Sequence, residues 1–237
     1  MEISGDYQYR ALHRGPSLQR FWHRNKIDVL RTLVGTDPID VVLEVGCGSG
    51  NLLFEGPRLP ARTVVGVDAS LTALRFCNSR RPDSHFHFSR AAGERLPFRD
   101  HSIDLVILVE VIEHLLEPAV TLKEIARVLR PGGRLVMTTP NYDWPSPWPL
   151  LEWLADRSGL VAPMKDDQHV TRFGPASLAS LLQRESFDIV RIGTMYGGSI
   201  AIALASSRWA AAAVRRELDR GIRHGALVYT VARTPPA

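Results

Sequence analysis

The chain has 237 residues, 45% of them hydrophobic, and a formal net charge of +4 at pH 7. This length and apolar content can build one α/β core without a second domain, and so small a charge permits contact with nucleic acid or anionic lipid without requiring either. Only two cysteines are present, which excludes a disulfide-built scaffold. Because the first residues also lack a signal-peptide pattern, we expect a reduced, cytoplasmic protein.

Strands and helices alternate along the chain. Residues 1–16 have little periodicity and predict a loose arm, and Ser17 is a candidate N-cap for a helix that reaches Val34. Strands are predicted at 41–46, 63–67, 85–89, 103–109 and 134–138, helices near 51–56, 70–79, 118–129 and 175–185, and late strands at 187–192 and 226–232. The nearly continuous apolar strands are typical of a parallel sheet with helices on both faces, so we predict a doubly wound, Rossmann-like α/β fold.

The most informative segment is Val-Leu-Glu-Val-Gly-Cys-Gly-Ser-Gly at residues 42–50, where an apolar strand breaks into alternating glycines. Such glycines permit positive φ and let a ligand lie against bare main chain. The next apolar run ends at Asp68, whose carboxylate can accept both hydroxyls of a ribose. Glu44 precedes the turn and suits a cation better than a pyrophosphate. We therefore interpret the ligand as a positively charged nucleoside without phosphates, a description that S-adenosylmethionine meets.

Four segments, in this order, resemble the class I S-adenosylmethionine-dependent methyltransferases. Residues 44–50 are similar to the family's first motif, and Asp68 stands at its ribose-binding acid. Residues 94–100, Glu-Arg-Leu-Pro-Phe-Arg-Asp, match the stretch before the fourth strand, and residues 129–136 match the turn into the fifth. The resemblance covers roughly residues 17–233. It implies a seven-stranded, mostly parallel sheet that closes with an antiparallel hairpin of the two late strands.

The resemblance also implies a set of cofactor-binding residues. Glu44 would face the amino group of the methionine moiety, and Ala69 would lie beneath the adenine. The family often places Asp-Ala before its Leu-Pro-Phe element, whereas this chain has Ala92-Gly93, so backbone groups or Glu94 would have to bind the adenine. Glu94 can equally be a solvated loop charge. The implied set is Glu44, Gly46, Cys47, Gly48, Gly50, Asp68, Ala69, Ala92, Gly93, Glu94 and Val109.

Acceptor chemistry is predicted for Glu110-Val-Ile-Glu-His114, which follows the fourth predicted strand at the edge where ligands bind in such sheets. If this segment forms a helical turn, Glu110, Glu113 and His114 share one face, and such a set suits Mg²⁺, Mn²⁺ or Zn²⁺. The Glu-x-x-Glu-His element resembles ubiquinone-pathway O-methyltransferases and small-RNA terminal 2′-O-methyltransferases. In the latter a downstream histidine completes a metal site, and His169 is the matching residue here.

The same residues also allow an interpretation without metal. Glu113 and His114 can hydrogen-bond each other, and His169 can anchor the loop before the helix at 175–185. His114 would then act as a general base or position the substrate, because an imidazole titrates near neutral pH. The candidate catalytic residues are His114, Glu113 and His169, and the candidate metal ligands are Glu110, Glu113, His114 and His169.

Two further segments bear on the acceptor. Residues 140–168 hold three of the five tryptophans and begin with closely spaced prolines, which predicts an aromatic lid or acceptor pocket, or else a cluster packed on the core. Asn141 or Tyr142 could then touch the acceptor. Residues 199–224 contain a basic amphipathic helix, which can lie on an anionic membrane surface or be an ordinary outer helix.

We therefore expect one methyltransferase domain over residues 1–237, with an N-terminal arm and helix at 1–35 and the aromatic insertion at 140–170. The expected reaction is O-methylation of a lipophilic or secondary-metabolite small molecule, such as a quinone-like or lipid-linked acceptor. Metal-dependent RNA 2′-O-methylation is an alternative, although the chain has no dense basic cluster beside an aromatic platform and no stable nucleic-acid partner is expected. A second alternative is a protein that binds S-adenosylmethionine without catalysis.

Overall fold

A computed structural model describes residues 4–55, 58–143, 169–203, 206–222 and 224–236. The strands are β1 (Ile39–Val45), β2 (Ala61–Asp68), β3 (Phe86–Arg90), β4 (Ile103–Val109), β5 (Leu129–Pro140), β6 (Asp188–Met195) and β7 (Leu227–Arg233). The helices are α1 (Tyr7–Arg14), α2 (Ser17–Val34), α3 (Asn51–Phe54), α4 (Leu71–Arg80), α5 (Pro118–Val128), α6 (Pro175–Arg184), α7 (Ser199–Ala203) and α8 (Ser207–Arg220). A 3₁₀ turn spans Ile112–His114.

The strands form one seven-stranded sheet in the order β3-β2-β1-β4-β5-β7-β6. Strands β1 to β5 pair in parallel, and β7 runs antiparallel between β5 and β6. The predicted doubly wound sheet with a closing antiparallel hairpin is therefore confirmed. The strand order reverses between β1 and β4, so the carboxyl ends of these two strands border a crevice that is suited to a ligand.

Apolar side chains cover both faces of the sheet. Val42 and Leu105 pack on one face in a cluster that includes residues of α2 and α8. Leu43 and Val106 point to the other face and pack with residues of α5 and α6. Since both faces are buried, the strands read as continuous apolar runs, and β4 has the bounds predicted for it.

Three local predictions are corrected by the structure. The expected loose arm at residues 1–16 contains α1, whose short buried pair Ala11 and Leu12 gives too brief an apolar pattern to detect. Helix α2 begins at Ser17 and ends at Val34 as predicted, but Ser17 makes no capping hydrogen bond and Pro16 occupies the N-cap. Strand β5 begins at Leu129, before the predicted 134–138, because its first residues pair with β4 across a register shift.

The aromatic insertion falls largely outside the described residues, since residues 144–168 are among those the structure does not describe. The prediction of a lid there stays a prediction. Among the described helices, none has both the length and the apolar character that a membrane crossing needs.

Candidate active site

The glycine loop after β1 has the backbone that its sequence predicts. Gly46, Gly48 and Gly50 have φ values of +74°, +50° and +73°, in the left-handed region that favours glycine. Space is also limiting, because a Cβ at Gly46 would lie 2.4 Å from Cγ2 of Val111. Val111 belongs to the segment after β4, so the loop of the predicted cofactor site is packed directly against the predicted acceptor segment.

Asp68 fastens this loop to the end of β2. Its Oδ2 accepts a hydrogen bond from the backbone N–H of Gly48 at 2.8 Å. Its Oδ1 accepts from the N–H of Ser70, also at 2.8 Å. The carboxylate therefore lies beside the bare glycine backbone, at the position expected for a group that accepts ribose hydroxyls. Ala69 follows it, and its carbonyl accepts a bond from Arg90.

Glu44 lies buried at the end of β1 with one carboxylate oxygen, Oε2, that has no hydrogen-bond partner. Burial, together with the neighbouring Cys77, raises the pKa of this carboxyl well above its ordinary range. Arg31 lies near enough to act on Glu44 electrostatically, and its Nε and Nη1 are also buried without partners. Because buried polar groups are normally satisfied, Glu44 fits a site that receives a polar or cationic group from a ligand.

The other predicted cofactor residues contribute mainly backbone. The Cys47 side chain is buried and its Sγ would lie 2.9 Å from a Cβ at Gly66, so the thiol points into the core. The Ala92 carbonyl accepts a bond from Arg95, and Gly93 packs against Thr121. Glu94 is exposed and Val109 is half-buried at the end of β4. Cys77 was missed by the sequence analysis as a site residue, and its Sγ donates to the carbonyl of Gly48 at 3.1 Å.

Helix α1 is a further part of the site that the sequence analysis missed. Oε1 of Gln8 accepts a hydrogen bond from the N–H of Ser49 at 3.3 Å. The backbone carbonyl of Gln8 accepts one from the side-chain amide of Asn51 at 2.8 Å. Ser49 donates its hydroxyl to the carbonyl of Gly5 at 2.9 Å. The N-terminal segment therefore lies against the glycine loop. No signal within residues 1–16 indicates these contacts, which all reach more than forty positions along the chain.

Glu110 does not share a face with Glu113 and His114, which corrects the predicted helical turn. It has a φ of +51°, and the 3₁₀ turn begins only at Ile112, so Glu110 lies outside that turn, although its charge still acts on Glu113. Its carboxylate forms an ion pair with Lys26 of α2, a residue that is itself buried. Burial opposes ionisation of Glu110, but the charge and hydrogen bond of Lys26, together with the charges of His23 and His169, outweigh burial and lower the pKa of the carboxyl.

Glu113, His114 and His169 do come together. One ligand atom from each lies within 4.8 Å of the others. The two imidazole rings have centroids 4.8 Å apart, and Nδ1 of His169 shares a hydrogen bond with the hydroxyl of Tyr142. The backbone carbonyl of Glu113 accepts bonds from the amides of Val170 and Thr171, at 2.9 and 3.0 Å, and so holds the His169 segment beside the turn.

The Glu113 carboxyl is fully buried. Its Oε2 accepts a hydrogen bond from Thr139 at 3.0 Å, whereas Oε1 has no partner among the described residues. Burial and the nearby charge of Glu110 raise the pKa of Glu113 to about 8. A cation that comes close to such a carboxyl favours its ionised form.

Comparison with known proteins agrees with this geometry. A family model described as a methyltransferase domain matches residues 43–137. A probable S-adenosylmethionine-dependent methyltransferase of Mycolicibacterium smegmatis is 30% identical over 191 residues, or 79% of this chain and 67% of that protein. A fatty-acid O-methyltransferase of the same species is 35% identical over 127 residues, or 52% of this chain and 43% of its own length.

A solved structure gives the same fold at lower sequence identity. The methyltransferase in complex with the Haloferax volcanii Trm112 activator superposes with a TM-score of 0.63 at 19% identity, covering 100% of this chain and 99% of that one. The sheet order, the glycine loop and the acid after β2 thus define an enzyme of the Rossmann-like methyltransferase class. The chain belongs to the S-adenosylmethionine-dependent methyltransferases.

Proposed function

We propose that this methyltransferase O-methylates a lipophilic small molecule that carries a hydroxyl or carboxyl group. One observation carries the proposal: His169 and Tyr142 gather around His114, whose turn follows Val111, the residue that packs on the glycine loop. Groups that accept protons and hydrogen bonds near this loop support a reaction that removes a proton from the acceptor.

The residues have separate roles in this proposal. S-adenosylmethionine supplies an electrophilic methyl group on its sulfonium. Glu44 binds the amino group of the methionine moiety, and Asp68 binds the ribose hydroxyls. His114 accepts the proton of the acceptor hydroxyl as the acceptor oxygen takes the methyl group. Tyr142 orients His169 through Nδ1, and this pair positions the acceptor, so that alignment supplies much of the rate acceleration.

A divalent cation is the finer part of the proposal. The unpartnered Oε1 of buried Glu113 beside two imidazoles fits Mg²⁺, Mn²⁺ or Zn²⁺, with Glu113, His114 and His169 as ligands. Two atoms bound to one ion lie at most ~4.2 Å apart, because each bond is ~2.1 Å long. The observed spread of up to 4.8 Å would therefore close slightly around the ion. Such an ion would act as a Lewis acid that lowers the pKa of the acceptor hydroxyl. His114 would then be a ligand of the ion instead of the base.

The name of one relative supports a lipophilic acceptor, since that protein is called a fatty-acid O-methyltransferase.

The test uses S-adenosylmethionine labelled in its methyl group, with a total lipid extract and total RNA as separate acceptors. We expect label in the organic phase and loss of that label in His114→Ala. His85→Ala is the matched control, because His85 lies outside the crevice and pairs with Asp83. Labelling of an RNA 3′ end that depends on His114 would replace this proposal with RNA 2′-O-methylation. Cofactor binding without turnover on any acceptor would favour a non-catalytic role.

A further inference from the structure

Helix α8 presents one basic face to solvent. Ala210, Val214 and Leu218 are buried and recur every four residues, so they form the face that packs on the protein. The opposite face carries four exposed arginines and one exposed aspartate; these residues are Arg208, Arg215, Arg216, Arg220 and Asp219. Among the described residues, no ion pair involves any of the four guanidinium groups.

Apolar side chains are exposed on the same surface. Trp209 lies among the arginines with 72% of its surface exposed. Ile202 of α7, which packs against α8, is 40% exposed. Arginines beside an exposed tryptophan are typical of helices that lie in a membrane interface, where the ring enters the headgroup region and the charges meet anionic phosphates. Hydration of a charged helix face would not by itself explain an exposed tryptophan ring at this position.

Hydrogen bonds and ring packing connect α8 to the segment after β6 and to α2. Glu217, on the buried side of α8, accepts hydrogen bonds from the amides of Tyr196, Gly197 and Ser199, at 3.0, 3.3 and 2.9 Å. These residues follow β6, which runs in the direction of the parallel strands and ends at the edge that carries the cofactor loop. Tyr196 in turn stacks on Trp22, one turn of α2 from the Lys26 that pairs with Glu110. The helix that carries the basic face is thus linked through Glu217, Tyr196 and Trp22 to the helix that supplies Lys26.

We propose that α7 and the exposed face of α8 dock on an anionic lipid bilayer. The four arginines bind lipid phosphates, and Trp209 and Ile202 enter the interface. The docking itself follows from this surface alone. Its purpose, delivery of a membrane-dissolved acceptor to the crevice, rests on the proposed methylation of a lipophilic molecule.

The test is co-sedimentation of the full chain with vesicles. We expect binding to vesicles of equal parts phosphatidylglycerol and phosphatidylcholine, little binding to pure phosphatidylcholine, and release at high salt. A variant with Arg208→Gln, Arg215→Gln, Arg216→Gln and Arg220→Gln should bind at least about tenfold more weakly, since each arginine near the surface contributes separately. Trp209→Ala should also weaken binding, and brominated lipid should quench less fluorescence in Trp209→Phe than in the parent.

The matched control also removes four positive charges, but from surfaces outside α8. Arg62, Arg81, Arg99 and Arg184 are exposed on other elements, and their joint replacement by glutamine should leave vesicle binding unchanged. Equal loss in both quadruple variants would mean a response to net charge and would overturn the docking site. Binding to a single-stranded RNA oligonucleotide but not to vesicles would overturn it in favour of a nucleic-acid surface.

Folding and function are separated by two further measurements. Thermal unfolding and S-adenosylmethionine affinity should match the parent in the α8 variant, so that weaker vesicle binding reports the surface. With an acceptor dispersed in detergent, this variant should retain methyl transfer. If no lipophilic acceptor is methylated, the proposed function fails while the vesicle result still decides the docking.

Discussion

Asp68 and Gly48 are joined by a hydrogen bond of 2.8 Å in which the side-chain carboxylate accepts from the backbone amide. The residue expected to bind the ribose therefore also shapes the loop on which the cofactor lies. Recognition of the ligand and construction of its site would then depend on one side chain.

Asp68→Ala should weaken S-adenosylmethionine binding by roughly 1–3 kcal/mol, because both the hydroxyl contacts and the anchor of Gly48 are lost. Isothermal titration of parent and variant measures the change. Asp40→Ala is the control, since Asp40 is an exposed acid at the other end of the sheet. Unchanged affinity in Asp68→Ala would remove this residue from the cofactor site.

Binding of S-adenosylmethionine should release a proton from Glu44. Burial raises the pKa of this carboxyl well above its ordinary range, so it keeps its proton to a higher pH than an exposed glutamate does. A neighbouring ammonium group favours the ionised form, so affinity should rise with pH below the amino group's own pKa of ~7.7–8.0. Titrations in buffers of different ionisation enthalpy count the protons. Glu44→Gln should release none, and proton release that persists in that variant would assign it to another group.

The contact of α1 with the glycine loop should contribute to cofactor affinity. Gln8→Ala removes the side-chain acceptor for the Ser49 amide, and at 3.3 Å this bond is long, so we expect a loss of at most ~1 kcal/mol. Amide hydrogen exchange at Ser49 should quicken in parallel. Gln183→Ala on α6 serves as the control, and equal exchange rates in parent and Gln8→Ala would show that α1 does not hold the loop.

Metal content distinguishes the observed cluster from the set predicted by sequence. If Glu113, His114 and His169 bind an ion, chelator should reduce methyl transfer, and Glu113→Gln should lack the metal found in the parent. Glu110→Gln should retain it, because Glu110 pairs with Lys26 instead. Elemental analysis of the three proteins gives the answer. Parent protein without metal and with full activity in chelator would leave His114 as a metal-free base.

His23 should make the fold sensitive to acid. Burial, followed by the charge of Lys26, lowers the pKa of this imidazole to about 4. The unfolded chain binds the proton at its ordinary pKa of ~6.5, so the free energy of unfolding should fall as the pH drops from ~6.5 toward the folded value. Urea titrations over this range should show a shallower fall in His23→Asn than in the parent. If the free energy of unfolding changes equally with pH in the parent and in His23→Asn, His23 is not the cause. His85→Asn is the control for a general effect of removing a histidine.

Local features of the site were predictable from sequence, and long-range ones were not. The glycine loop and strand Ile103–Val109 could be predicted from local sequence. Positive φ favours glycine, and burial on both faces of a strand favours an unbroken apolar run. The partner of Glu110 lies 84 residues away in Lys26, and nothing in the Glu-x-x-Glu-His pattern indicates it. Helix spacing alone put Glu110 with Glu113 in one turn, whereas Glu110 has a left-handed backbone, lies outside that turn and pairs with Lys26.

The contact between Val111 and Gly46 has a consequence for the order in which the two substrates bind. Val111 directly precedes the turn at Ile112–His114, and there is no room for it to move toward Gly46 while the loop stays in place. If the acceptor shifts this turn, we therefore expect each ligand to change the affinity for the other by the same factor. An acceptor that tightens the turn should slow the escape of S-adenosylmethionine. Transfer of the methyl group removes the positive charge of the sulfonium, so the demethylated cofactor should bind less tightly. Through the same contact, the methylated acceptor should bind less tightly as well.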